Sequence, residues 1–296
     1  MSVDLSIVIV TYNSQNYIAD CLDSVFRQAQ YFHTEVIVVD NASTDDTVDS
    51  IRRFEDKNVP LHLITNEVNR LFAPAVNQGL QQSRGDYLFI LNPDTRLEPE
   101  SLELLYEYFR GDRSIGVIAP QLRNPDGSIQ PSCRRFPRHR DVVFHTFGLN
   151  QLFSGSPFFN GWKMGDFDHR QTREVDQPQG AALFTSRVVV HAVGSLNEDF
   201  PMFFNDVDWC YRVKQAGYKI LFYPQAQVTH IQGASVNSRK AAMVVSSHVS
   251  FFRFFEKHYD RVYHQPINLI AGLLLFFSIP FRVVGVWVRS LLNKPD

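Results

Sequence analysis

The sequence has no excess of either charge: 29 Lys+Arg stand against 31 Asp+Glu in 296 residues, a formal net charge of −2. Bulk electrostatics therefore gives no case for nucleic-acid binding. Cysteine is scarce. Cys21, Cys133 and Cys210 lie far apart and form no C-x-x-C, which excludes a disulfide framework and a cysteine zinc site and points to a reducing compartment. A secretory leader is not expected, because no basic segment opens the chain and the apolar run over residues 5–10 is too short. Glycine is missing where nucleotide-binding loops need it. No G-x-G-x-x-G follows the first apolar run, and no G-x-x-x-x-G-K-[ST] occurs anywhere. A Rossmann dehydrogenase and a P-loop NTPase are set aside on that ground. There is no internal repeat and no low-complexity segment.

What is present is ordinary for a globular chain: 44% hydrophobic and 20% charged residues, with length for one large or two small domains. Short apolar runs at 5–10, 35–40, 61–64 and 87–91 read as strands. They alternate with helical patterns at 17–28, 48–54 and 73–82. A βαβαβαβ order predicts an α/β fold with a mostly parallel sheet flanked by helices. The run 87–91 leads into Asn92-Pro93-Asp94, and Pro93 cannot continue a central ladder. Asp94 then sits just past the carboxyl end of a strand, the edge where open α/β sheets bind ligands. Thr11 and Asp40 end their strands on that same edge. Each carboxylate has a bland alternative. Asp94 also suits a turn before the helix expected from Glu98, and Asp40 suits a helix cap. As a ligand reader, Asp40 would accept hydrogen bonds from a nucleobase N–H or a ribose hydroxyl.

Beyond that point a helix is expected over 98–109, a strand over 116–120 and a tight turn at Asn124-Pro125-Asp126-Gly127. Residues 131–176 are irregular, rich in Gly, Pro, Phe and Arg, and read as a functional loop. A strand at 180–184, a helix start at 187–191, a helix over 206–216 closed by Gly217 and strands at 219–223 and 228–230 follow.

Five motifs in order carry a resemblance. They are Ile9-Val10-Thr11-Tyr12-Asn13, the run from Val38 to Asp45, Asn92-Pro93-Asp94, the run from Phe203 to Arg212, and Pro224 to His230. Over residues 4–235 they resemble family 2 of the inverting glycosyltransferases, with a GT-A fold. Within that family they most resemble bacterial rhamnosyltransferases of surface-polysaccharide assembly. The resemblance implies a catalytic domain over 1–235, and the apolar stretch beyond it reads as a helical, membrane-associating extension over 236–296. It implies transfer of a sugar, L-rhamnose before others, from a nucleoside-diphosphate donor such as dTDP-rhamnose to a lipid-linked saccharide. The place of action would be the cytoplasmic face of the membrane. Transfer of galactofuranose, glucose or N-acetylglucosamine by the same fold is the alternative. A catalytically silent sugar-nucleotide-binding subunit is another.

The resemblance also assigns roles. Thr11, Tyr12 and Asp40 would hold the nucleoside, with Asn13, Asn69, Arg70 and Asn92 in the donor-binding set. Asn92-Pro93-Asp94 stands where the family has Asp-x-Asp. Asp94 alone keeps the carboxylate and would bind Mg²⁺ or Mn²⁺ on the donor diphosphate, hard cations that suit oxygen ligands. His230 would be a second metal ligand, its alternative being a structural histidine. Asp206 would be the base, with Asp208 structural or acceptor-binding. Gly180 and Asn205 would line the acceptor side. Arg134 and Arg135, with Arg138 and Arg140 nearby, would clamp phosphates or form a solvated basic loop. Three residues depart from the family pattern: Asn92 for the first aspartate, Asn205 for a glutamate, and Leu71 for a glycine. Leucine would be strained if that backbone needs φ > 0.

At the C-terminus residues 267–281 are apolar apart from Asn268 and Ser278, and Arg282 interrupts them. The run falls short of the ~20 residues of a spanning helix, and Pro280 predicts a kink. A pair of helices lying in the membrane interface is expected, with Trp287 and the arginines at headgroup level. A core helix or a dimer seam is the alternative, and a homo-oligomer is left open.

Overall fold

The computed structural model describes residues 3–55, 57–231 and 240–292, with the side chains of 240–241 and 284–292 left aside. In chain order the first half runs β1 (Leu5–Thr11), α1 (Ile18–Ala29), β2 (Thr34–Asp40), α2 (Thr47–Arg52), β3 (Leu61–Thr65), α3 (Phe72–Gln82), β4 (Tyr87–Leu91), β5 (Thr95–Leu97), α4 (Ser101–Gly111) and β6 (Ile115–Arg123). The middle holds β7 (Cys133–Arg134), α5 (His139–Thr146), α6 (Leu149–Leu152), β8 (Arg173–Glu174), β9 (Gln177–Pro178), β10 (Ala182–Ser186) and α7 (Arg187–Val193). Last come α8 (Asn205–Gln215), β11 (Lys219–His230), α9 (Lys240–His258) and α10 (Gln265–Leu292). The chain divides into a sheet unit, residues 1–134, 168–201 and 205–235, and a helical unit, residues 135–167, 202–204 and 236–296.

The main sheet of the first unit has the order β3-β2-β1-β4-β10-β6-β11-β5, with β8 added beside β11. β3, β2, β1 and β4 are mutually parallel, as the alternating pattern predicts. β10 runs antiparallel between β4 and β6, so the sheet is mixed beyond its parallel half. The β1 sequence is apolar at nearly every position because both its faces are covered. Leu5, Ile7 and Ile9 join Ile18, Leu22 and Val25 of α1 in one core layer. Val8 and Val10 join Ala73, Val76 and Leu80 of α3 in the other. Burying one such side chain contributes roughly 1.5–3 kcal/mol. Gly79 lets α3 approach β1: a Cβ there would stand 2.4 Å from Val8 Cγ1.

Two local readings change, and one short strand went unread. The helix expected from Glu98 starts at Ser101, because Pro99 disfavours helical geometry at Glu98. Pro224 does not end a strand. β11 runs through it, and a register shift against β6 between Tyr223 and Gln227 accommodates the missing N–H. The three-residue β5, too short to show a period, pairs antiparallel with the end of β11. The turn at 124–127 forms as read, with Gly127 at φ +81° and its N–H on Asn124 O.

In the helical unit, the expected helix pair over the last apolar stretch is a single helix, α10, of 28 residues that continues through Pro280. Its buried face carries Asn268, Ala271, Leu275 and Ser278. Asn268 Nδ2 donates to Tyr259 O at 2.8 Å, and its Oδ1 lies 2.6 Å from His139 Nε2. Arg282 Nη2 donates to His145 O at 3.1 Å. The expected headgroup positions of Trp287 and Arg289 lie outside the described side chains.

Candidate active site

The carboxyl ends of the parallel strands meet as the sequence implies. Thr11 and Asp40 are register partners at the ends of β1 and β2. Thr11 Oγ1 donates to Asp40 Oδ1 at 2.8 Å, and Ser43 donates to both oxygens, from Oγ at 2.6 Å and from N at 2.9 Å. Both residues are fully buried. They fix the loop after β2, whose Thr44 N donates to Oδ1 of the exposed Asn13, just past β1, at 2.8 Å. Half-exposed Tyr12 stands beside them. Asn41 then organises the next loop. Its Nδ2 donates to Asn69 Oδ1 and Leu71 O, and its Oδ1 accepts from Arg70 N.

Asp94 is buried, 6% exposed, and its Oδ1 has no hydrogen-bond partner. His230 Nε2 lies 3.5 Å from that oxygen. The antiparallel pairing of β5 with β11 makes the meeting: His230 is the register partner of Thr95, and Ile231 N donates to Asp94 O at 2.9 Å. The other ring nitrogen of His230 faces Gln130 Oε1 at 2.7 Å. Gln130 Nε2 is turned to Asn124 Oδ1 and His230 O, so its oxygen is the acceptor and His230 Nδ1–H the donor. That makes Nδ1 the protonated nitrogen of the neutral ring, whose Nε2 lone pair then lies on the side of Asp94. A buried orphan carboxylate oxygen beside an imidazole lone pair fits a hard divalent cation that takes its remaining ligands from phosphate and water. Among the described residues no cluster of three His, Cys, Asp or Glu is available to hold a metal.

Asp206 opens α8. Its Oδ2 accepts from Gly180 N at 3.0 Å and Gln177 Nε2 at 3.2 Å, and its Oδ1 from Val207 N at 2.9 Å. A Cβ at Gly180 would stand 3.2 Å from Asp206 Cβ. Arg134 and Gln177 are register partners in the two-stranded β7–β9 ladder, so their side chains share a face. Burial pushes the Asp206 carboxyl above the ordinary range, while the backbone donors and the Arg134 guanidinium pull it back. Asn92 N donates to Ala181 O at 2.9 Å. The path from Asp94 to Asp206 is thus two residues back, one ladder bond, one residue and one carboxylate bond.

A model of the family "Glycosyl transferase family 2" matches residues 6–165, more than half of the chain. The chain belongs to that family. Among similar curated proteins is the N-acetylglucosaminyl-diphospho-decaprenol L-rhamnosyltransferase of Mycobacterium tuberculosis. It is 24% identical over 303 residues, covering 98% of this chain and 94% of that protein. The low-salt glycan biosynthesis hexosyltransferase Agl10 of Haloferax volcanii is 24% identical over 285 residues, 92% of this chain and 83% of that one. Among solved structures, the mannosyltransferase PcManGT of Pyrobaculum calidifontis, in complex with GDP-Man and Mn²⁺, has a TM-score of 0.61 at 18% identity. That match covers 100% of this chain and 77% of that one. This is a GT-A-like arrangement, and the family 2 glycosyltransferase activity goes with it.

Other expected site residues are placed elsewhere. Asp208 is fully buried and paired with Arg212 Nε at 2.9 Å, one helical turn on. Asn205 is buried at the start of α8. The arginine group is divided. Arg134 stands with Asp206 in the sheet unit, whereas Arg135 lies in the helical unit with Nη2 3.3 Å from Asp166. Arg138 N caps α5 on Asp141 Oδ2 at 2.7 Å. Leu71 adopts φ +67° and ψ 179°, a region almost reserved for glycine, at a cost of order 1–3 kcal/mol. Sequence reasoning missed Gln130 and Gln177. A glutamine next to a turn or a two-residue strand carries no periodic signal, and each matters only through the residue it bonds.

Proposed function

We propose that this glycosyltransferase moves L-rhamnose from dTDP-rhamnose to a lipid-linked saccharide in cell-surface polysaccharide assembly, with inversion at the anomeric carbon. The full-length similarity to a rhamnosyltransferase named for a diphospho-decaprenol acceptor supports the substrate class. The observation that carries the mechanism is the orphan Asp94 Oδ1 facing the His230 Nε2 lone pair. Asp94 and His230 would hold Mg²⁺ or Mn²⁺, and a bound cation supplies neutralisation of the charge growing on the nucleoside diphosphate. Gln130 keeps His230 in the liganding tautomer. Thr11 and Asp40 shape the nucleoside end by holding the loops that carry Asn13, Asn69 and Arg70; Tyr12 stands at that edge.

Asp206 takes the proton of the acceptor hydroxyl. The acceptor oxygen bonds to the anomeric carbon as the bond from that carbon to the diphosphate oxygen breaks. Oδ2 is engaged by Gly180 and Gln177, so the proton goes to Oδ1. Burial raises the carboxyl's basicity, while the Gly180 and Val207 N–H donors and the Arg134 guanidinium oppose that rise.

The outward face of α10 would rest on the bilayer as a peripheral anchor. Leu269, Leu273, Phe276, Phe277 and Phe281 are exposed there, while Asn268 and Ser278 are turned inward. Residues 262–283 are apolar enough, over 22 residues, to cross a membrane, but the inward polar bonds tie one side of the helix to protein. A donor screen tests the proposal: purified protein, dTDP-, UDP- and GDP-sugars, Mg²⁺ and Mn²⁺, and a synthetic polyprenyl-diphosphate saccharide. Transfer from dTDP-rhamnose with an inverted linkage is expected. Turnover of another donor alone removes the rhamnosyl assignment, and no turnover of any donor favours a silent subunit.

A further inference from the structure

Every exposed phenylalanine among the described residues lies in the helical unit. Three belong to the outward face of α10. The other three, Phe147, Phe153 and Phe158, belong to the α5–α6 segment, far away in sequence. Phe147 is 66% exposed, and neighbouring Leu152 is 73% exposed. We infer that the α5–α6 segment is a second lipid-contact surface, an aromatic wedge for an anionic bilayer. The inference shares its partner with the α10 reading but stands on separate residues.

The wedge is built from rings packed on rings. Phe144 contacts Phe158 and Phe159, with centroids 5.3 and 5.0 Å apart, and Phe153 stacks on Phe159 at 4.8 Å. Asp141 and Val142 of α5 are buried while Val143 is exposed. Gly148, at φ +72°, turns the chain into α6. The rings support one another and still present their outer faces. A partly exposed cluster of Phe144, Phe153, Phe158 and Phe159, with exposed Phe147 and Leu152 on the same segment, marks an interaction site on a folded surface.

Charge selects the partner. The residues of the helical unit include 12 Lys+Arg and 5 Asp+Glu, a formal +7, whereas the sheet unit has 17 and 26, a formal −9. The near-neutral chain hides this segregation. At the wedge, the Arg140 guanidinium lies 5.1 Å from the Phe158 ring centroid, and Arg138 and Arg140 are both exposed. Aromatic rings rimmed by arginine suit the level of lipid headgroups, and the basic excess suits anionic ones. A second copy docking through the same segment would bring two net-basic units together, which opposes a symmetric dimer.

The test uses the full chain carrying Leu152→Cys and a thiol-reactive, polarity-sensitive dye. The native cysteines are all buried, so the label goes to position 152. A blue shift is expected with phosphatidylcholine–phosphatidylglycerol vesicles, not with phosphatidylcholine alone, and it should weaken in high salt. Combined Phe147→Ser, Leu152→Ser and Phe153→Ser should lower vesicle partitioning about ten-fold. Phe147→Leu with Phe153→Leu should retain it, which shows that the segment still folds. A 152 label that stays unshifted while the chain co-sediments with anionic vesicles overturns the inference. If a label at Phe281→Cys, on a separate chain, shifts with the same vesicles, the α10 reading survives alone. Neither label shifting, with no co-sedimentation, ends both readings. A shift that follows protein concentration without vesicles identifies a second copy as the partner and overturns the lipid wedge.

Discussion

In the sheet unit every described phenylalanine is buried or mostly covered, whereas the helical unit exposes six of its own. The α10 helix goes further and turns Asn268 and Ser278 inward while Leu269 and Phe276 face out. The contrast follows from architecture. A parallel sheet clothed by helices buries both faces of each strand and keeps its polar groups at strand ends. Helices of the second kind satisfy one side with protein and leave an apolar side for something other than water. The proposed chemistry needs the first arrangement, because the proposed base and metal ligands would have to be held to fractions of an ångström. Surface attachment needs the second.

Substitutions that separate the two units sharpen this contrast, and any that moves both properties together breaks it. Asp206→Asn should cut kcat about 10²–10⁴-fold, with donor affinity and vesicle partitioning unchanged; single-turnover kinetics and calorimetry read the difference. A variant turning over at the wild-type rate removes Asp206 from the mechanism. Asp94→Ala and His230→Ala should each abolish the Mn²⁺ dependence of nucleoside-diphosphate binding. Gln130→Leu should weaken Mn²⁺ about 10–100-fold by freeing the tautomer, read by calorimetry and by the manganese spin signal. Metal dependence that survives any of these argues against that residue's role.

On the other side of the contrast, ending the chain after Gln265 should release it from vesicles and lower activity on a lipid-linked acceptor. Activity on a short soluble acceptor should fall much less. Equal sedimentation of the two forms would leave α10 as packing alone. Smaller still is the effect of Arg134→Gln on pH dependence. Burial holds the Asp206 pKa up and Arg134 pulls it down, and the base acts only when ionised. Removing the guanidinium therefore raises that pKa, so the acid limb of kcat should move to higher pH. A limb that stays put, or moves down, shows that Arg134 does not act on Asp206. Smallest is Leu71→Gly, which should raise stability by about 1 kcal/mol, as relief of a left-handed leucine exceeds the added freedom of the unfolded chain. Thermal melting measures it, and a lower Tm would mean that the leucine side chain contributes more than its backbone costs.

The residues themselves show why legibility varied. Strands β1, β2 and β4 were readable because burial on both faces demands continuous apolar runs. The Leu71 backbone was anticipated from one departure, since a leucine where glycine is usual is a statement about φ. β5 and β10 were harder. Three residues carry no period, and strand direction is not written in a strand's own sequence. The arginines between 134 and 140 looked like one group because they are neighbours in the chain, yet the fold sends Arg134 to Asp206 and Arg135 to Asp166.

The sequence by itself determined the alternation of strands and helices, the family, and the strand-end positions of Thr11, Asp40 and Asp94. Each of these follows from local periodicity or from motifs in fixed order. Only the tertiary structure decided that β5 returns against β11 to bring His230 to Asp94, that Gln130 sets the histidine's tautomer, and that β7 and β9 present Arg134 and Gln177 together at Asp206. It also decided that net charge is segregated, which a chain total of −2 conceals. Those are pairings between segments remote in the chain. Their energies depend on distances that exist only once the backbone has closed.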